Sequence, residues 1–180
     1  MTHSHWRLVA VVSLLLASCG KQPAEEAVSK NDRNAVKAAL DQGGDVNAKT
    51  TGGNTLLMQA AKDAQSSSAQ ALIENGADIQ VRDSAGNTAL HYAARNGMTG
   101  ICGLLIDRGL AANDKGEGGG TPLHFAVAAG RQETAKYLVR RGADLNQKDD
   151  SGASALDLVT RTGDNRFKGD LEISAQMRAN

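Results

Sequence analysis

The chain has 180 residues, no net formal charge and two cysteines. That length suits one domain, and the balanced charge lacks the basic surplus of a nucleic-acid binder, so no nucleic acid is expected as a partner. Apolar residues make up 41% but aromatics only 3%, which favours closely packed short helices over a large β core.

The first element is a leader. Arg7 precedes a run from Leu8 to Ala17 that only Ser13 interrupts. Such a run is too short to span a bilayer but has the length of a signal-peptide core. The residues Leu16-Ala17-Ser18-Cys19 resemble the bacterial lipobox, Leu-(Ala/Ser)-(Gly/Ala/Ser)-Cys. The plainer alternative is an ordinary secretory peptide that happens to hold a Cys. The resemblance implies a lipoprotein signal peptide over 1–18, cut before Cys19, with Cys19 lipidated. It places the chain on a bacterial membrane facing the periplasm, held by acyl chains that bind at about 0.8 kcal/mol per buried CH₂. Gly20, where an Asp would retain such a protein in the inner membrane, implies the outer membrane. With Cys19 lipidated, Cys102 is left alone and no disulfide is expected. The polar stretch that follows completes a lipidated Cys and tether over 19–29.

From residue 30 the chain repeats itself. The hydroxyls Thr55, Thr88, Thr121 and Ser154 stand 33 residues apart, as do Gly43, Gly76, Gly109 and Gly142. Gly97, Gly130 and Gly163 keep the same period. Around these positions stand the words Gly86-Asn87-Thr88-Ala89-Leu90-His91, Gly120-Thr121-Pro122-Leu123-His124 and Gly142-Ala143-Asp144-Leu145-Asn146. These resemble the ankyrin repeat, whose consensus holds Gly-x-Thr-Pro-Leu-His-x-Ala-Ala and Gly-Ala-Asp-x-Asn. The resemblance implies an ankyrin-repeat domain over 30–180. An N-terminal cap would span 30–49, repeats 50–82, 83–115 and 116–148, and a C-terminal cap 149–180.

The residues read the same way. Thr88 is a helix N-cap, Leu90, Ala93 and Ala94 form an apolar stripe, and Gly97 ends that helix. Ile101, Cys102, Leu104 and Leu105 mark a second helix ended by Gly109. Helix pairs this short must stack to bury their faces. The expected fold is all-α, a solenoid of stacked helix pairs with projecting loops and β-turns.

Several residues look chemical. His91, His124 and Asp157 share one repeat position, but neighbouring helices lie about 8–10 Å apart and zinc needs ligands at about 2 Å. The ankyrin resemblance instead gives this His a turn-holding role, bonded to the Thr hydroxyl and loop backbone. Cys102 shares its position with Val36, Ala69 and Ala135 and reads as a buried small hydrophobe. Gly116-Glu117-Gly118-Gly119-Gly120 lacks the Lys-Ser/Thr of a phosphate loop and reads as a flexible turn. No catalytic residue, metal site or cofactor is expected, and the protein reads as a non-enzyme.

What remains is a binding face. Tyr92 and Phe125 share a column with Gln59 and Leu158, and serve either packing between first helices or an aromatic hot spot. Lys62, Asp63, Arg95, Asn96 and Arg161 face away from the apolar stripes, with Lys62, Arg95 and Arg161 in a basic stripe that Ala128 interrupts. The turn tips present Lys49, Arg82, Asp83, Ser84, Lys115, Glu117, Lys148 and Asp150. In ankyrin proteins these positions line the concave groove that grips another protein. The residues assigned to partner binding are therefore Lys62, Asp63, Arg82, Ser84, Tyr92, Arg95, Asn96, Glu117, Phe125, Asp150 and Arg161. The protein is expected to be a monomer, and its partner a periplasmic enzyme, such as an antioxidant enzyme, or alternatively a periplasm-acting toxin that it neutralises as an immunity protein.

Overall fold

A computed structural model describes residues 23–179. The leader and Cys19 lie outside the described residues. Within them the chain forms ten α-helices in five pairs and no β-strand. The first helices of the pairs are α1 (Pro23–Ser29), α3 (Leu56–Lys62), α5 (Ala89–Arg95), α7 (Pro122–Ala128) and α9 (Ala155–Thr162). The second helices are α2 (Arg33–Asp41), α4 (Ser66–Glu74), α6 (Thr99–Asp107), α8 (Gln132–Arg140) and α10 (Asn165–Ala179).

Local sequence sets both ends of each first helix. Thr55 Oγ1 accepts the Met58 N–H at 3.2 Å, and Ser154 Oγ accepts the Asp157 N–H at 3.2 Å. The turn into the second helix needs one residue in the left-handed region, which Gly97, Gly130 and Gly163 supply at φ 75°, 68° and 73°. The second repeat has Ala64 at that position. Its junction forms regardless, because Ala64 adopts φ 57° at a cost of about 1 kcal/mol.

A helix of seven residues is not stable alone. Each first helix packs on the next first helix, from α1 through α9, and each second helix on the next second helix, from α2 through α10. Small side chains let them approach. Ala60, Ala61, Ala93, Ala94 and Ala126 of the first helices are fully buried in the common core. Val36, Ala69, Cys102 and Ala135 are fully buried along the second row, as their shared repeat position predicts. Burial desolvates the Cys102 thiol and pushes its pKa up to about 12.

The N-terminal end of the described chain differs from the sequence reading. The tether read over 19–29 is helical from Pro23 onward: Ala24, Ala27 and Val28 form a buried stripe, and Pro23 starts α1 as Pro122 starts α7. Ser68 Oγ donates to Val28 O at 3.4 Å, and the Ser68 N–H to Asn31 Oδ1 at 3.1 Å, which fastens this pair to α4. The cap read as a half-repeat over 30–49 is thus the second half of a complete pair. At the other end, the segment after Gly163 forms a last helix within the cap read over 149–180. Asp164 Oδ1 caps α10 through the Phe167 N–H at 2.9 Å, and Phe167 and Leu171 are buried where α10 lies on α8.

Candidate protein-binding groove

The turn-holding ladder is built from one column. In α5, Nδ1 of His91 accepts the Thr88 N–H at 3.1 Å, which leaves Nε2–H to donate to Asp114 O at 3.1 Å. In α7, His124 makes the same pair with the Thr121 N–H and Ala153 O, at 3.1 and 3.2 Å. Burial, the largest influence, holds the His91 imidazole below its ordinary pKa, consistent with a neutral ring. In α9 the role passes to Asp157. Its Oδ2 accepts from Ser154 N–H, Ser154 Oγ and Lys148 Nζ at 2.9, 2.8 and 2.6 Å, and these bonds hold the carboxyl well below its usual range. Each imidazole thus fastens the following turn, and among the described residues no three His, Cys, Asp or Glu side chains gather as metal ligands.

On the outer side of the first helices the junctions diverge. Between α3 and α5, Tyr92 donates its hydroxyl hydrogen to Asp83 Oδ2. The Lys62 ammonium lies 4.5 Å from the Tyr92 ring centroid and 3.8 Å from the same carboxylate oxygen. Burial would raise the Asp83 pKa, but the Tyr92 hydroxyl, the Asn87 and Ala85 N–H groups and Lys62 outweigh it and hold it below the ordinary value. Desolvation and the bond to Asp83 push Tyr92 up to about 12.

The glycine-rich turn is ordered rather than flexible. Glu117–Gly119 form one 3₁₀ turn. The Glu117 N–H donates to Asn87 Oδ1 at 2.9 Å, and Gly118 O accepts the Asp150 N–H at 2.9 Å. A Cβ on Gly116 would stand 2.9 Å from His91 Nε2, so glycine there lets two turns touch.

Past this turn the surface opens into a groove of about 820 Å³. Arg95, the turn from Glu117 to Gly120, α7 residues Phe125, Ala128 and Ala129, the turn Asp149–Ser151, and Leu158 of α9 line it. The groove exists because Ala128 and Ala129 stand where the preceding repeat has Arg95 and Asn96.

The structure sorts the assigned binding residues into three groups. Arg95, Glu117, Phe125 and Asp150 line the groove together. Ser84, Asp63 and Arg161 are exposed elsewhere, with Asp63 accepting from Gln59 Nε2 at 2.8 Å. The remaining four are engaged by neighbouring repeats, Lys62, Tyr92 and Asn96 half-buried and Arg82 on the exposed turn tips. Lys62 and Tyr92 belong to the Asp83 cluster, so in this column Tyr92 packs, while Phe125 packs edge-on against His91 at 5.2 Å between ring centroids and also lines the groove. Asn96 Nδ2 donates to the carbonyls of Ala61 and Lys62 at 2.7 and 2.9 Å. Arg82 makes two 2.6 Å contacts to Asp114 and a 3.0 Å bond to Lys115 O in the next turn. The basic stripe is therefore reduced to Arg95 and Arg161, because Lys62 is committed. Ala128, Ala129, Leu158 and Asp149 also line the groove, although the sequence reading did not assign them to partner binding; the gap in the basic stripe at Ala128 was their signal.

Residues 8–83 and 57–149 match the family model for ankyrin repeats in three copies. The match covers most of the chain, and the protein belongs to the ankyrin-repeat family, whose domains are generally protein–protein interaction modules. No curated protein matches it.

Proposed function

We propose that this protein is a non-enzymatic, lipid-anchored binding protein of the bacterial envelope that grips a partner through the groove and the neighbouring turn tips. The observation that carries the binding reading is the groove itself, where exposed Arg95, Glu117 and Asp150 surround the half-buried Phe125 on a stacked scaffold. A rigid stack offers such a surface with little ordering cost on docking. The lipobox around Cys19 supports the anchor and the periplasmic face of the outer membrane. The partner proposed is a periplasmic enzyme that the protein supports, such as an antioxidant enzyme.

Capture of partners from envelope extract by the full-length chain tests the binding role. Arg95→Glu with Glu117→Lys is expected to lose the captured protein while far-ultraviolet circular dichroism stays unchanged. Undiminished capture moves the interface elsewhere. A peroxide-sensitive deletion strain is expected for the enzyme-supporting role, whereas a tightly bound toxin encoded next door would identify an immunity protein instead. Cys19→Ala is expected to release the chain from membranes; a variant that stays bound removes the lipid anchor from this reading.

A further inference from the structure

We infer that the groove takes a Lys or Arg side chain presented beside an apolar one on a partner's segment; this rests on the binding role proposed above. The chain supplies its own template. In the 33-residue register, Lys62, Arg95 and Ala128 share one position, Tyr92, Phe125 and Leu158 a second, and Asp83, Gly116 and Asp149 a third. At the first junction cation, aromatic ring and carboxylate meet. There Asp83 Oδ1 accepts the Ala85 and Asn87 N–H groups at 3.0 Å each, and Oδ2 receives Tyr92 and Lys62. At the second junction Arg95 and Phe125 are present but Gly116 brings no carboxylate.

At the third junction the carboxylate returns without its cation. Asp149 Oδ1 again holds its turn, accepting the Ser151 and Ala153 N–H groups at 2.9 Å each and Ser151 Oγ at 2.7 Å. Oδ2, the atom that Lys62 and Tyr92 engage at Asp83, has no hydrogen-bond or ion-pair partner among the described residues; of the groove lining, the buried His124 imidazole acts on this carboxylate only through space. Ala128 leaves the cation's place empty, and Leu158 with Phe125 makes the neighbouring surface apolar. The exposed carboxylates of Glu117 and Asp150 are also without an ion-pair partner among the described residues, so three carboxylates face one guanidinium, that of Arg95, in the lining. Charge complementarity therefore selects a cation, the floor selects an apolar neighbour, and the volume lies within the usual ~300–1,000 Å³ of concave sites.

The test is a random heptapeptide library, displayed on phage and panned against the immobilised full-length chain. The expected result is enrichment of Lys or Arg within two positions of an aromatic or aliphatic residue. An enriched peptide should bind about tenfold more weakly to Ala128→Lys, which restores the internal cation, and to Asp149→Asn, which keeps Oδ1 for the turn. Leu158→Tyr should tighten it. Thermal melts of the variants check that the fold survives. Peptides without cations, or cationic peptides that hold Ala128→Lys as tightly as the parent chain, overturn the inference. Cation-free peptides lost on Ala128→Lys would leave the groove as a binding site and sink only its ligand chemistry. A library with no enrichment sinks the inference too, while capture from envelope extract decides the binding role separately.

Discussion

The turns at Asp83 and Asp149 share a backbone and differ in what surrounds the carboxylate, above all its Oδ2. Asp83 N–H donates to Asn87 O at 3.0 Å and Asp149 N–H to Ala153 O at 2.9 Å, and the glycine three residues on closes each turn at 2.9 and 3.0 Å. Beyond that, Lys62 and Tyr92 close the first junction, whereas Ala128 and Leu158 leave the other open. The repeat fixes Oδ1 for folding and leaves Oδ2 to vary. In one place the free lone pairs stabilise the stack, and in the other they face outward.

The largest effect is expected at the closed junction. Asp83→Ala strands the Tyr92 hydroxyl, the Lys62 ammonium and two turn N–H groups, and should lower stability by about 2 kcal/mol in urea titration. Asp149→Ala strands only the turn and should cost less; equal losses would erase the distinction between the junctions. Next comes Gly116→Asp, which puts the missing carboxylate back into the middle turn. Its Cβ would crowd Asn87 and His91, so a loss of about 1–2 kcal/mol is expected, together with a disturbed groove rim. Ala128→Lys with Leu158→Tyr should convert the open junction into a closed one. A gain of about 0.5–1 kcal/mol in stability is expected, with partner capture reduced. No gain would mean that the Lys62 cluster depends on more than these side chains.

The smallest effect is the response to pH. Tyr92 is held protonated to a higher pH when folded, about 12, than when unfolded, about 10. Its contribution is therefore complete below pH 10 and fades as the pH rises towards 12. For Asp83 the folded pKa is lowered, so its contribution is present above the ordinary carboxylate range and fades as the pH falls through it towards the lowered value. Thermal melts of Tyr92→Phe should lose the Tyr92 part of the alkaline slope, and an unchanged slope would assign it to other groups.

Much of this was legible in the sequence because it recurs. The 33-residue period gave the helix pairs from residue 30 onward, the Thr and Ser caps, the small-residue column through Cys102 and the turn-holding histidines. What was hidden depends on contacts that no local pattern shows. Glu25 and Glu26 made α1 resemble a tether, although Pro23, Ala27 and Val28 stand three periods before Pro122, Ala126 and Val127. The glycines after Lys115 suggested looseness, yet their lack of side chains is what lets adjoining turns press against them. Lys62 reads as a surface cation until the next repeat brings Asp83 and Tyr92 to it. The groove is the converse case, marked in the sequence only by an alanine interrupting a row of cations.

Cys102, fully buried midway along the second row, gives the stack a native clock. In a Cys19→Ala chain it is the sole thiol, and with its pKa pushed up to about 12 it stays silent towards alkylating reagents while α6 is seated. Each modification event then records one opening of the central repeat. The labelling rate, followed with and without an occupied groove, would read out how far a docked partner's grip travels along the array.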